Sequence, residues 1–312
     1  MARKIIIDCD MGTDDAVALC MLLFAPSLDV LAITATEGVV TADQSNNNLQ
    51  AILAELDPPR YPRLGMASPC ENAPPVNTSY LYGGDGLGNT GLEASRLQNS
   101  ADSEKLIIDC VRAHPDEVSI ICLGPLTNLA KAFRRDPALP TMVDRVVMAG
   151  GSFDGIGNIQ PMAEFNFFFD PQSAREVFRS RTTKTLIPLD ITRQVTFGLE
   201  ILDKLREDTN VGFFLRQILS FAFRSYRQQL GQENITLNDA IGALGVLKPG
   251  LFAFEEFHGD VECKGEMTRG VTVFDRRAAA ENRPNMEVAR KIDTQSARQM
   301  VLDCIYRTGR QS

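Results

Sequence analysis

Lys4-Ile5-Ile6-Ile7-Asp8-Cys9-Asp10-Met11-Gly12-Thr13-Asp14-Asp15-Ala16 is the most informative stretch of this chain. The run 5–7 has the continuous branched apolar character of a strand buried on both faces, and 16–24 that of a helix packed against it. The residues between them are then the turn at a strand's C-terminal end, where open α/β sheets place their ligands. Four carboxylates, Asp8, Asp10, Asp14 and Asp15, crowd into that turn. Acids so close repel one another unless a cation or shared protons intervene. Taken singly, Asp14 would N-cap the helix and Asp15 favour its dipole. For the group, a hard divalent metal held by oxygen is the economical explanation.

Outward from this stretch the same alternation continues. Strand-like runs at 30–36, 118–123, 145–148 and 185–189 are separated by helical patterns near 44–55, 103–113, 127–133 and 171–179. The last opens with Asp170-Pro171, an N-cap followed by proline at the first helical position. Such alternation predicts a largely parallel central sheet with helices on both faces. Residues 200–230 read as helical, 239–247 begins another helix, and strand candidates follow at 252–254, 260–263 and 271–274 before a final helix at 294–306. Proline- and glycine-rich stretches at 57–75 and 82–91 read as surface loops. No repeat, low-complexity tract or linker interrupts the chain, so one domain over 1–312 is expected.

Composition narrows the classes. The chain carries 40 acidic against 32 basic residues, a formal charge of -8, and no Lys/Arg-rich run, which argues against a nucleic-acid partner. Its start reaches Asp8 too soon for a signal peptide, and no apolar stretch is long enough for a bilayer, so a soluble cytoplasmic protein without a membrane partner is expected. The seven cysteines are scattered without a Cys-x-x-Cys pair and read as reduced thiols. Hydrophobic content of 44% suffices for a substantial core.

Other segments carry candidate chemistry. Asn158, Glu164 and Asn166 put amide donors and a carboxylate acceptor into a Phe-rich stretch, a combination suited to a polyhydroxyl ligand such as a sugar. Asp239, in Leu237-Asn238-Asp239-Ala240, is either a further acid brought in from afar or a plain helix cap. Gly124-Pro125-Leu126-Thr127-Asn128 follows a strand; its carbonyls could serve a metal, or Thr127 could simply cap. Tyr82-Gly83-Gly84-Asp85-Gly86-Leu87-Gly88 lacks the strand–turn–helix setting of a phosphate loop and suits a flexible rim or lid over a pocket.

Together these pieces resemble the inosine-uridine-preferring nucleoside hydrolase family. Its signature Asp-x-Asp-x-Gly-x-Asp-Asp-Ala matches Asp8 to Ala16. The resemblance continues through Gly124 to Asn128, Gly150-Gly151, the Asn158/Glu164/Asn166 block, Pro188-Leu189-Asp190-Ile191-Thr192 and Thr268-Arg269-Gly270-Val271-Thr272-Val273, nearly the whole chain in order. It implies a Rossmann-like α/β nucleoside hydrolase fold, a bound Ca2+, cleavage of the N-glycosidic bond of small-molecule ribonucleosides by water, and a homo-oligomer, dimer or tetramer. Carried over by residue, it implies that Asp10, Asp15 and Asp239 side chains and the Thr127 carbonyl ligate calcium, with Asp10 also the general base. Asp14, Asn158, Glu164 and Asn166 would hold ribose hydroxyls, and Tyr82 and Tyr226 would meet the rest of the substrate.

The sequence departs from the family on the leaving-group side. Asn238 stands where many members have a histidine that protonates the departing base. Tyr82 replaces another frequent histidine, Val39 an expected asparagine, and tryptophan is absent. An amide cannot act as a general acid near neutral pH, though Asn238 can donate a hydrogen bond to a base carbonyl. Loss of a positioned acid costs about 10²–10⁴-fold in rate. The resemblance therefore points to a leaving group needing little protonation, such as the cationic base of nicotinamide riboside. The alternative is a calcium-dependent ribose or nucleoside binder without turnover. A haloacid-dehalogenase-type phosphatase, suggested by Asp8-Cys9-Asp10, is one residue off in its spacing to Thr13 and has no place for the later blocks. His114 and His258 fall outside every matched motif and read as structural.

Overall fold

The computed structural model describes residues 2–92, 100–279 and 281–308. Its strands in chain order are β1 (Arg3–Cys9), β2 (Leu28–Ala35), β3 (Arg63–Met66), β4 (Ser100–Asp102), β5 (Val118–Cys122), β6 (Arg145–Ala149), β7 (Lys184–Ile187), β8 (Thr196–Phe197), β9 (Ile235–Thr236), β10 (Phe252–Phe257), β11 (Gly259–Val261), β12 (Thr272–Phe274) and β13 (Met286–Ile292). Nine of them form one sheet in the order β10-β13-β7-β6-β5-β1-β2-β3-β4. Every pair is parallel except β10 with β13, as the α/β alternation predicts. From β1 the chain builds outward through β2, β3 and β4, then returns to lay β5 on the other side of β1. That reversal is the topological switch point, and it leaves a crevice at the carboxyl ends of β1 and β5.

Side chains of β1 alternate between two apolar layers. Ile5, Ile7 and Cys9 join a core with the helices Thr13–Leu23, Ala42–Leu56, Asn210–Ser225, Asn238–Leu247 and Thr294–Thr308. Ile6 joins another with the helices Ser103–Ala113, Thr127–Arg135 and Pro171–Arg179. Two fully covered faces explain why the strand reads as an uninterrupted apolar run. No helix among the described residues is long and apolar enough to cross a membrane.

Three expectations need correction. The stretch 57–75 contains β3, too short to stand out beside its prolines. The segment 200–230 is not one helix: a 3-10 turn Leu199–Leu202 precedes the helix Asn210–Ser225, which Thr209 caps through its hydroxyl, and a wide turn Tyr226–Leu230 ends it. Finally, β13 went unread because Glu287, Arg290 and Lys291 interrupt its apolar pattern. It lies inside the sheet, pairing with both β7 and β10.

Candidate active site

At the end of β1 the backbone enters the left-handed region at Met11 (φ 61°) and turns into the helix Thr13–Leu23, whose first turn carries Asp14 and Asp15. Asp15 accepts the Gly12 N–H on Oδ2 at 2.8 Å. Asp10 accepts the Val39 N–H on Oδ2 at 2.8 Å, from the turn after β2. Gly38 in that turn must lack a side chain: a Cβ there would stand 2.0 Å from Asp10 Oδ2.

The fourth acid of the cluster comes from far along the chain. The helix Asn238–Leu247 lies close on β6 and β7 because Gly242 and Gly245 face Ala149 and Ile187. Its first turn delivers Asp239, whose carboxylate oxygen lies within 4.8 Å of one from each of Asp14 and Asp15. Asp10 lies beside Asp15, and Asp14 beside Asp239, each close enough to shift the other's titration. Burial first, and then mutual repulsion, drives these groups toward protonation: Asp14 is pushed up to about 6, and Asp15 and Asp239 well above the usual carboxylate range. Burial likewise raises Asp10. The positive ends of two helix dipoles offset part of this charge.

Asp15 Oδ1 is buried without a hydrogen-bond partner among the described residues. An orphaned oxygen among converging carboxylates is the donor set of a hard divalent cation. Asp14, Asp15 and Asp239 could hold such an ion. Thr127 lies buried at the start of its helix after β5, and its hydroxyl donates to Asp170 Oδ2 at 2.7 Å.

Asp8 does not belong to this cluster, contrary to the expected turn of four acids. It is still in β1 and wholly buried, with Oδ1 taking the Thr34 hydroxyl at 2.6 Å and the Asn128 amide at 2.8 Å. It ties β1 to β2 and to the helix Thr127–Arg135 beneath the crevice, and burial pushes it up to about 7.

A second wall rises from β5 and β6. Asn166 Nδ2 donates to the carbonyls of Leu123 and Ala149, at 2.7 and 3.2 Å, tying the two strand ends together and leaving its Oδ1 as an acceptor. Asn158 takes the Phe165 N–H on Oδ1 at 2.8 Å, leaving its Nδ2 as a donor. Glu164 accepts the N–H groups of Gly151, Asn166 and Phe167 and is raised to about 7 by burial, against those three bonds. All three line one cavity with Thr192, Asn238 and Asp239.

The third side is aromatic and amide. Tyr82 is half-buried, and burial, then Asp14 and Tyr226, hold its hydroxyl well above the ordinary phenol range. Tyr226 opens the wide turn after its helix, with its hydroxyl 3.0 Å from Thr236 Oγ1; burial pushes it up to about 12. Asn238 Oδ1 accepts the Thr192 hydroxyl at 2.8 Å. The structure thus brings Asp10, Asp14, Asp15, Asp239, Tyr82 and Tyr226 to one place, with Asn158, Glu164, Asn166 and Asn238 beside them.

Sequence reasoning gave no role to Thr192 or Asn48, although Thr192 sits in a quoted motif. Asn48 Nδ2 donates to the carbonyls of Met11 (3.0 Å) and Asp85 (2.7 Å), pinning the glycine-rich rim to the acid turn. Asp85 in turn accepts the N–H groups of Leu87 and Asn89 at 2.8 Å, so the rim has its own hydrogen-bonded frame. His114 ends the helix Ser103–Ala113, and His258 bonds the Arg283 carbonyl.

A family model described as inosine-uridine preferring nucleoside hydrolase matches residues 5–299. The chain is 33% identical over 298 residues to the pyrimidine-specific ribonucleoside hydrolase RihA of Salmonella paratyphi C, covering 95% of this chain and 96% of that protein. It is 31% identical over 317 residues to the inosine-uridine preferring nucleoside hydrolase of Crithidia fasciculata, covering 99% of each. Among solved structures, the plant nucleoside hydrolase PpNRh1 superposes with a TM-score of 0.91 at 27% identity, over 98% of this chain and 99% of that one. The purine-preferring ribonucleoside hydrolase of Gardnerella vaginalis gives 0.91 at 25% identity with the same coverage.

Proposed function

Since this chain belongs to the inosine-uridine preferring nucleoside hydrolase family, and is therefore a hydrolase of N-glycosyl bonds, we propose that it cleaves ribonucleosides to ribose and free base in a calcium-dependent reaction with altered leaving-group activation. The observation that carries this reading is the meeting of Asp239 with Asp14 and Asp15 around an orphaned Asp15 oxygen.

Asp10, Asp15 and Asp239, with the Thr127 carbonyl, are the residues that would hold Ca2+. When bound, the ion supplies positive charge that polarises a water and grips ribose hydroxyls. Asp10 is the general base: the Val39 N–H fixes one oxygen, and burial makes the carboxylate a better proton acceptor than an exposed one. Asp14, Asn158, Glu164 and Asn166 hold the ribose. Asn158 offers a donor while Asn166 and Glu164 offer acceptors, which matches hydroxyls that both give and take hydrogen bonds. The same acidic surroundings favour the positive charge that develops on the sugar as the C–N bond breaks.

On the far side of that bond, Asn238 donates a hydrogen bond but no proton. A base that departs neutral from a cationic nucleoside, as from nicotinamide riboside, suits this arrangement. The test is ribose release from inosine, uridine and a cationic-base nucleoside with calcium present. The cationic substrate should be fastest, and chelation should stop turnover. Ribose from none of them overturns the hydrolytic reading; inosine or uridine cleaved far faster than the cationic nucleoside overturns the leaving-group reading alone.

A further inference from the structure

We propose that Thr192 is a positioning residue that fixes which end of the Asn238 amide faces the leaving group, and so makes the site select bases bearing a hydrogen-bond acceptor there. This inference rests on the placement of Asn238 beside the leaving group argued above.

Thr192 ends the short helix Leu189–Thr192 after β7 and is 2% exposed. Its backbone is held at both groups, by the Pro188 carbonyl and the Val195 N–H. A hydroxyl has a single proton to give. The Leu189 carbonyl lies 3.4 Å away and already accepts the Arg193 N–H, whereas Asn238 Oδ1 lies at 2.8 Å. The proton therefore goes to Asn238. With its oxygen engaged, the amide turns Nδ2 and its two hydrogens toward the cavity it lines with Asn158, Asn166 and Asp239. A carbonyl on the base can accept from that amide; an exocyclic amino group at the same place meets donor with donor.

Uridine against cytidine, and inosine against adenosine, each compare a carbonyl with an amino group at one exocyclic position. The native enzyme should favour the carbonyl member by about tenfold in kcat/KM, the worth of one net hydrogen bond. Thr192→Val frees the amide to rotate and should bring both ratios to within about threefold of unity, while Thr192→Ser restores them. Affinity for free ribose should not move, which separates orientation from a general loosening of the cavity. Should Thr192→Val not fold, Thr192→Ala decides: it also removes the hydroxyl that engages Asn238 Oδ1 and should bring both ratios equally near unity.

Ratios unchanged in Thr192→Val, unrestored by Thr192→Ser, or unchanged in Thr192→Ala would overturn the inference. If no nucleoside is hydrolysed, dissociation constants of the same four ligands by calorimetry still report the preference. The hydrolytic reading would then fall, while the role of Thr192 would stand or fall on the measured ratios.

Discussion

The acid wall and the proposed leaving-group wall of this cleft are made of different material. Asp10, Asp14, Asp15 and Asp239 sit on a strand end and on the first turns of two long helices, and backbone N–H groups hold Asp10 and Asp15. Tyr82, Tyr226 and Asn238 sit on the four-residue helix Ser79–Tyr82, on a wide turn and at a helix start, and side chains orient Tyr226 and Asn238. Regular elements fix positions through many shared hydrogen bonds, so the acid wall built on them is rigid. Side-chain partners can be exchanged singly, so the half proposed to meet the base is the half free to vary. This chain's expected departures from the family pattern, read from its sequence, lie in that second half.

The contrast is broken most directly at Asp10. Asp10→Ala should lower kcat/KM by about 10³–10⁴-fold on every nucleoside alike, measured as ribose release. Removing one of several crowded buried acids should at the same time raise the thermal midpoint in chelator-treated buffer, and a drop there would mean the cluster does not repel. Next comes Gly38→Ala, whose new methyl meets Asp10 Oδ2. Misplacement of the base on that scale should cost about 10²-fold in kcat, and normal turnover would show that the Val39 contact does not position Asp10.

The leaving-group wall should answer selectively. Asn238→His restores an acid and should raise inosine cleavage by about tenfold or more, with little change for a cationic-base nucleoside; a uniform change across the panel would erase the distinction between the walls. Tyr226→Phe loses one half-buried hydroxyl contact and should cost about 1 kcal/mol of stability by urea denaturation, with a few-fold change in turnover.

The smallest effect on catalysis is expected at Lys184, in the first position of β7, where the strands begin. Its ammonium donates to the carbonyls of Ser180 and Thr182, and burial lowers it to about 8. Unfolded lysine stays protonated to about 10.4, so between pH 8 and that value the unfolded chain binds more protons and this group makes stability rise with pH. The urea midpoint of Lys184→Met relative to the native chain should therefore be highest below pH 8 and decline across that window, with turnover unchanged. A pH-independent difference would contradict the assigned shift.

Much of this architecture is written locally. Ser103–Ala113 and Pro171–Arg179 begin and end where the sequence pattern places them, because caps, proline and apolar spacing act within a few residues. Strand β1 is legible because both its faces are covered, whereas β13, with charged residues at half-covered and exposed positions, is not. Among the site residues, the types were legible but their commitments were not. Nothing in the order of letters tells that Asp8 stays inside a strand, or that Asn166 spends both amide hydrogens on strand ends.

By itself, then, the sequence determined the alternating α/β layers, the acid turn after the first strand and the ordered series of polar blocks. Tertiary structure alone decided that Asp239 reaches Asp14 and Asp15, that the two tyrosines lie near Asp14, and that the Thr192 hydroxyl meets Asn238. Secondary structure is encoded by short-range periodicity and capping. The meeting of distant side chains depends on strand order and on how closely helices can lie on the sheet, as Gly242 and Gly245 allow here, which is set by packing summed over the whole chain.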